Sequence, residues 1–232
     1  MMRKFLDSLA TALVIISVSI LTITFSIGLP IYFRPFYYMQ IEPLGIEEAT
    51  GFDRETVIEG YDEVLDYLTR PGGSFSAGEF KFSEEGASHF EDCKGLFTLN
   101  AVAYVFSAVV LIAVLILHKR GRVKVKKPLG IPTPLLSGAL TLTLFAVLGV
   151  LVAIDFDTAF RVFHTVFFPG KDNWLFNPRY DEIILAMPEK FFMNCAILIG
   201  SSVIILSVFL IVSGLIYLKK GKSKALTFGR TI

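Results

Sequence analysis

The chain has 232 residues, 53% of them hydrophobic and 19% charged, and its mean hydropathy is +0.63. The charged share falls below the roughly 25% of a soluble globular domain, which excludes a disordered chain and points to a membrane protein. A net charge of +1 leaves no basic field to recruit nucleic acid, and two cysteines build neither a disulfide scaffold nor a four-ligand zinc site.

Four stretches lack charged side chains and reach the roughly 20 residues needed to cross a bilayer. The first, Ser8–Phe33, is far longer than the apolar core of a secretory signal and is followed by no A-x-A site, so it reads as an uncleaved anchor. In the loop 34–94 that follows, Val57, Ile58, Tyr61, Val64, Leu65 and Leu68 recur at helical spacing behind an N-cap at Asp53, and Pro71-Gly72-Gly73 ends that helix. The second stretch is Gly95–Leu117, and after a lysine-rich loop over 118–134 comes the third, Leu135–Ile154. The loop 155–190 is crowded with aromatic rings, which gather at membrane interfaces. Phe191–Leu218 is the fourth stretch and precedes a basic tail over 219–232. The expectation is an all-α integral membrane protein, a single membrane domain over 1–232 with four transmembrane helices and two folded extracytoplasmic loops.

Lysine and arginine set the orientation. Arg3, Lys4, Lys119, Arg120, Arg122, Lys124, Lys126, Lys127, Lys219, Lys220, Lys222, Lys224 and Arg230 fall on one side with a single acid, Asp7. Those 13 cations leave 9 of 22 cations and 20 of 21 acids for the other side. The reading is a multi-pass protein of the cell membrane with cytoplasmic termini and with loops 34–94 and 155–190 facing outward. Loop 119–127 reads as a topology signal that touches anionic lipid.

Three histidines are present, and His118 sits beside Lys119 and Arg120 at the cytoplasmic end of the second span. His89 precedes Gly95 by six residues and His164 follows Ile154 by ten. If their helices project from the bilayer, both imidazoles stand on the order of 10–15 Å above it on the same side. Asp92 at i+3 and Asp157 at i−7 give each histidine a carboxylate on its helical face that could orient the ring and raise its basicity. The pattern is open to three readings: a pair of catalytic imidazoles, two ordinary interfacial histidines, or a divalent metal site. No H-E-x-x-H spacing, G-x-S-x-G turn or Walker glycine loop occurs. Gly200-Ser201-Ser202 in the fourth span reads as small-residue helix packing. Cys93 and Cys195 lie at similar depth on the outer side, close enough for a disulfide to be conceivable, although buried apolar filler is the commoner role.

The run FSEEGASHFEDCKGLF from Phe82 to Phe97 and the run FDTAFRVFHTVFFP from Phe156 to Pro169 carry a resemblance, continued by Asn173-Trp174, Asp181 and Pro188-Glu189-Lys-Phe191-Phe. Together they resemble a bacterial four-span membrane family that includes the lipoprotein intramolecular transacylase Lit, over most of residues 9–218. Two departures stand out. Cys93 occupies an expected apolar position, which argues against an essential cysteine nucleophile, and Asn177 stands where an aspartate is expected.

The resemblance implies a substrate: diacylated bacterial lipoproteins in membrane lipid, whose sn-2 acyl chain moves from the diacylglyceryl-cysteine to its α-amino group. Ester aminolysis needs a base to deprotonate the amine and an acid for the departing glycerol oxygen, and two imidazoles can supply both. His89 and His164 are then the expected catalytic residues, Asp92 and Asp157 the ring-orienting candidates, and Phe160, Arg161, Phe168 and Trp174 the substrate-site candidates. The scheme requires no cofactor and no metal. The competing readings are a non-enzymatic accessory or sensor with an acidic outer surface, and a metal-dependent membrane hydrolase. The sequence carries no signal for an oligomeric state.

Overall fold

The computed structural model describes residues 1–228. Arg230, counted above among the cations of the tail, lies outside the described residues. Among the described residues there is no strand. In chain order the helices are α1 (Met2–Tyr32), α2 (Pro35–Tyr38), α3 (Ile46–Thr50), α4 (Arg54–Thr69), α5 (Glu84–Lys119), α6 (Thr133–Ile154), α7 (Phe156–Phe167), α8 (Ile183–Ala186) and α9 (Glu189–Phe228), with a 3-10 turn at Pro128–Gly130. Four of them are long and apolar enough to cross a membrane: α1, α5, α6 and the Glu189–Lys220 portion of α9. This is the fold class expected from the charge-free stretches.

The helices are longer than those stretches. α5 has 36 residues, about 54 Å of helix, against a hydrocarbon core of about 30 Å. Its charged first turns, Glu84–Lys94, therefore continue beyond the apolar part that begins at Gly95. α6 starts at Thr133 rather than at Leu135, because Pro134 falls in the first turn, where a missing N–H breaks no helical bond.

The chain forms two compact units. One comprises Met1–Ser26, Val102–Leu148 and the stretch from Gly200 onward; the other comprises Ile27–Ala101 and Gly149–Ile199. In the first, close approach is bought by glycine: a Cβ on Gly138 would stand 2.6 Å from the Ser207 carbonyl, and one on Gly214 would stand 2.7 Å from Leu135. Gly200 faces open space, and Ser202, two residues on, makes the contact instead, accepting from Ser26 Oγ at 3.0 Å. Buried Asp7 accepts from Lys124 N at 2.9 Å, and Thr11 Oγ1 accepts from Lys126 N at 2.9 Å, which ties the basic loop to α1.

The second unit has an aromatic and aliphatic core. The apolar stripe of α4 (Val57, Tyr61, Val64, Leu65 and Leu68) is buried, and Asp53 caps the helix by accepting from Thr56 N at 2.9 Å. Tyr37 stacks on Tyr61 with ring centroids 3.7 Å apart, and Phe191 meets both edge-on. The Tyr37 hydroxyl donates to the Ala186 carbonyl at 2.8 Å, joining α2 to α8. Arg34 pairs with Asp62 at 3.2 Å and with Asp66, pinning the exit of α1 to α4. Phe90 of α5 and Ile183 of α8 complete this core, so the outer turns of α5 rest on a packed base.

Candidate active site

α5 is held at its start by a residue distant in sequence. Asp181 Oδ1 accepts from Ser83 N and Ser83 Oγ, each at 2.8 Å, while Ser83 Oγ accepts from Gly86 N at 3.0 Å. One residue on, Lys81 and Glu182 exchange backbone and side-chain bonds, with Lys81 Nζ 2.8 Å from Glu182 Oε1. These ties bring the segment after α7 back along the first turns of α5. α7 is capped by Asp155, whose carboxylate accepts from Thr158 N at 3.0 Å. Its polar residues Asp157, Thr158 and Arg161 and its apolar Phe160, Phe163, Val166 and Phe167 fall on different sides of the helix, as an amphipathic surface helix requires.

His89 on α5 and His164 on α7 meet between these segments. Their ring centroids are 5.6 Å apart with planes inclined by 32°, and the residues are only 5% and 6% exposed. Phe168 lies 4.9 Å from the His89 ring and Phe176 lies 5.5 Å from it, both edge-on. His164 is stacked on Trp174 at 4.4 Å and lies against Phe160 at 4.3 Å. The two imidazoles thus share an aromatic box.

Burial lowers both imidazole pKa values. His89 falls from 6.5 to about 4 through burial and the nearby charge of His164, opposed by Asp92 and by the nearby Asn173 amide. His164 is lowered by burial and partly restored by the Phe160 carbonyl. That carbonyl lies 2.7 Å from His164 Nδ1. A carbonyl only accepts, so Nδ1 carries the proton and the neutral ring keeps its lone pair on Nε2.

The carboxylates expected to orient the rings do not reach them. Asp92 Oδ1 accepts from Lys171 Nζ at 2.5 Å and Asp92 Oδ2 accepts from Asn173 Nδ2 at 3.1 Å. Burial alone would raise the Asp92 carboxyl, but Lys171 and Asn173 hold it below the usual carboxylate range. Asp157 is half exposed and paired with Arg161 at 3.0 Å, because the i−4 carbonyl of Phe160 occupies the ring nitrogen it was expected to serve. Of the substrate-site candidates, Phe160, Phe168 and Trp174 surround the imidazoles, whereas Arg161 lies on the exposed face of α7. The residues missed from the sequence are Asn173, as a side chain in the site, and the Phe160 carbonyl. The second was accessible through the i−4 rule, while Asn173 arrives only by long-range folding.

Both cysteines are free. Cys93 Sγ stands 3.4 Å from His89 Nε2, and burial pushes its thiol up to about 12, so it is a protonated neighbour rather than a thiolate. His118 belongs to the other unit, where its Nδ1 meets the 123–125 backbone. Among the described residues, no three His, Cys, Asp or Glu side chains converge as metal ligands.

The family model described as lipoprotein intramolecular transacylase Lit matches residues 12–192. No curated protein matches the sequence. Among solved structures, the chain is similar to the membrane-integral lipoprotein intramolecular transacylase Lit from Bacillus cereus, with 25% identity and a TM-score of 0.83 over 95% of this chain and 99% of that one. Two further structures of the Bacillus cereus protein, with a histidine replaced by alanine or by arginine, give TM-scores of 0.78 and 0.77 at 24% identity. They cover 96% and 97% of this chain and 98% and 96% of theirs, respectively.

Proposed function

Because this chain belongs to the lipoprotein intramolecular transacylase Lit family, we propose that it moves the sn-2 acyl chain of an S-diacylglyceryl-cysteine to the α-amino group of that cysteine. It is an acyltransferase and a multi-pass membrane protein. The product is a lyso-form lipoprotein, acylated on nitrogen and monoacylated on the glyceryl sulfur substituent.

The chemistry balances without an external reactant. The neutral amine attacks the ester carbonyl, forming the C–N bond as an imidazole Nε2 takes a proton from nitrogen. The tetrahedral intermediate collapses, the bond to the sn-2 oxygen breaks, and the imidazolium returns the proton to that oxygen. Amine and ester belong to one molecule, so tethering supplies much of the proximity. A pair of buried, neutral imidazoles suits the first step, since a protonated ring could not accept. The aromatic box of Phe160, Phe168 and Trp174 offers apolar walls to the acyl chain near the reacting carbonyl.

The observation that carries this reading is the 5.6 Å approach of His89 and His164. The cation bias recorded in the sequence supports cytoplasmic termini, outward loops 34–94 and 155–190, and hence a site on the extracytoplasmic face, where the acylated cysteine is displayed. The test is the mass of lipoprotein N-terminal peptides from cells with and without the gene. A lyso form that tracks the gene is expected, and an unchanged lipoprotein profile overturns the reading.

A further inference from the structure

The site leaves two complementary atoms over. Asn173 Oδ1 and His89 Nδ1 are both buried, and neither closes a hydrogen bond of ordinary geometry. Burying such groups unpaired costs free energy, so atoms left in this state near a reacting centre call for an explanation. Asn173 is held beside His89 by geometry: its Nδ2 reaches Ser88 and Asp92, one residue before and three after His89 on α5, and its neighbour Trp174 stacks on His164.

The orientation of the Asn173 amide is fixed from its other end. Its Nδ2 donates to Asp92 Oδ2 at 3.1 Å and lies 3.5 Å from Ser88 Oγ. Asp92 is itself held by Lys171 Nζ. A carboxylate accepts and does not donate, so the NH₂ end must face Asp92 and the carbonyl end must face away from it. That leaves Oδ1 as an acceptor in want of an N–H. On the other side of the ring, the thiol of Cys93 stands 3.4 Å from Nε2. A protonated thiol at Nε2 and an acceptor at Nδ1 favour the same tautomer, with the proton on Nδ1 and the lone pair on Nε2.

We propose that Asn173 is a positioning residue: its Oδ1 accepts the Nδ1–H of His89 and so presents the Nε2 lone pair to the substrate, while Asp92 and Lys171 lock the amide against flipping. The proposal rests on the reading of His89 as a catalytic imidazole. It makes the two histidines equivalent in design, each with Nδ1 directed at an amide oxygen, from the backbone of Phe160 in one case and from a side chain in the other. It also gives Asp92 a role at one remove, through Asn173. Hydrogen bonds of this kind are often long in the unliganded enzyme and tighten when substrate fills the site.

The test uses the full-length membrane enzyme and a synthetic S-diacylglyceryl-cysteinyl peptide, with product followed by mass. Asn173→Ala should lower kcat by roughly 10- to 100-fold while changing KM less than about threefold, the pattern of a group that acts in the transition state. Asn173→Asp keeps the size and an acceptor at Nδ1, and its second oxygen replaces the Nδ2 that donated to Asp92. The paired carboxyls together carry at least the wild-type negative charge beside His89, so the variant should retain more activity than Asn173→Ala. Its acid limb in the kcat/KM profile should move to higher pH, because a carboxylate beside the ring favours the imidazolium. The other titratable groups facing His89 are His164 from α7, Asp92 and Cys93 from α5, and Lys171 from the segment after α7, and all are unchanged in these variants. An unaltered kcat in Asn173→Ala overturns the proposal. If that variant fails to accumulate, Asn173→Asp decides: a displaced acid limb supports the clamp and an undisplaced one overturns it. His89→Ala run alongside separates the two levels. An inactive His89→Ala with a fully active Asn173→Ala sinks the clamp alone, and an active His89→Ala sinks the catalytic reading as well.

Discussion

Gly86 and Asp181 approach so closely that a Cβ built on Gly86 would stand 2.3 Å from Asp181 Oδ1 and 3.2 Å from its Cγ. Asp181 is 5% exposed and accepts two bonds from Ser83, so it cannot swing aside. Gly86 is one helical turn before His89, and Asp181 ends the segment that carries Asn173, Trp174 and Phe176. A single missing methyl group therefore sets the spacing between the two halves of the site.

Gly86→Ala is expected to destabilise by about 1–3 kcal/mol through overpacking, and to lower transacylation further by pushing Asn173 and Trp174 away from the imidazoles. Asp181→Ser removes the obstruction and keeps a hydroxyl near Ser83, so the double variant should be less impaired than the two single losses added together. Thermal unfolding in detergent and the lipopeptide assay measure both effects. Strict additivity would show that the contact does not govern the spacing.

Cys93 touches His89 but is not poised as a nucleophile. A thiol held protonated by burial is a poor nucleophile, and its contact with Nε2 must be displaced when substrate arrives. Cys93→Ala should leave transacylation largely intact. Complete loss of activity, at wild-type abundance in the membrane, would show that the thiol takes the acyl group itself.

How much of this was legible beforehand follows from the range of the interactions. The four spans, the helix behind Asp53 and its buried stripe rest on composition and local periodicity, which a sequence displays directly. The placement of His89 and His164 at similar distances from their spans made their meeting conceivable, but the aromatic box around them depends on Lys81 meeting Glu182 and Ser83 meeting Asp181 across about a hundred residues. No periodic pattern announces such ties. The helical-face argument put Asp92 and Asp157 near their histidines and was blind to nearer competitors, Lys171 and Asn173 for one and Arg161 for the other. α2, α3 and α8 are single turns, too short to show a period.

The histidines also shape stability. His89 has a folded pKa of about 4 against an ordinary 6.5, and that of His164 is lowered too. Between about pH 6.5 and 4 the unfolded chain binds protons that the folded chain refuses, so stability falls as pH is lowered through this window and His89 adds no further loss below it. His89→Gln should make the unfolding temperature less pH-dependent over that range. Parallel curves for variant and wild type would contradict the burial-driven shift.

Orientation is tested by labelling. Ser76 lies in the first long loop and is exposed, and Ser223 lies among the cations of the tail. In cells stripped of wall, an impermeant thiol reagent should label Ser76→Cys and spare Ser223→Cys, each made in a background lacking Cys93 and Cys195. Labelling of Ser223→Cys alone would reverse the topology and remove the site from the extracytoplasmic face.

His89→Ala and His164→Ala should each abolish the lyso form, a loss on the order of 10²–10⁴-fold for a group that moves a proton in the transition state, whereas His118→Ala should not. The reason lies in the geometry: the first two rings share one aromatic box at 5.6 Å, while His118 sits on the 123–125 backbone. Since the partners act as a unit, the double variant His89→Ala/His164→Ala should be little worse than either single one. Asp92→Asn should cost roughly tenfold, about 1.4 kcal/mol in the barrier, because the lock on Asn173 weakens while the imidazole stays. Asp157→Asn breaks only an exposed pair with Arg161, worth under about 1 kcal/mol, and should stay near wild type. The readout is the N-terminal lipopeptide mass of a reporter lipoprotein, with each variant confirmed at wild-type abundance in the membrane. Near-normal lyso-form production by both the His89 and the His164 variant would refute proton transfer by these imidazoles, whatever the family of the chain.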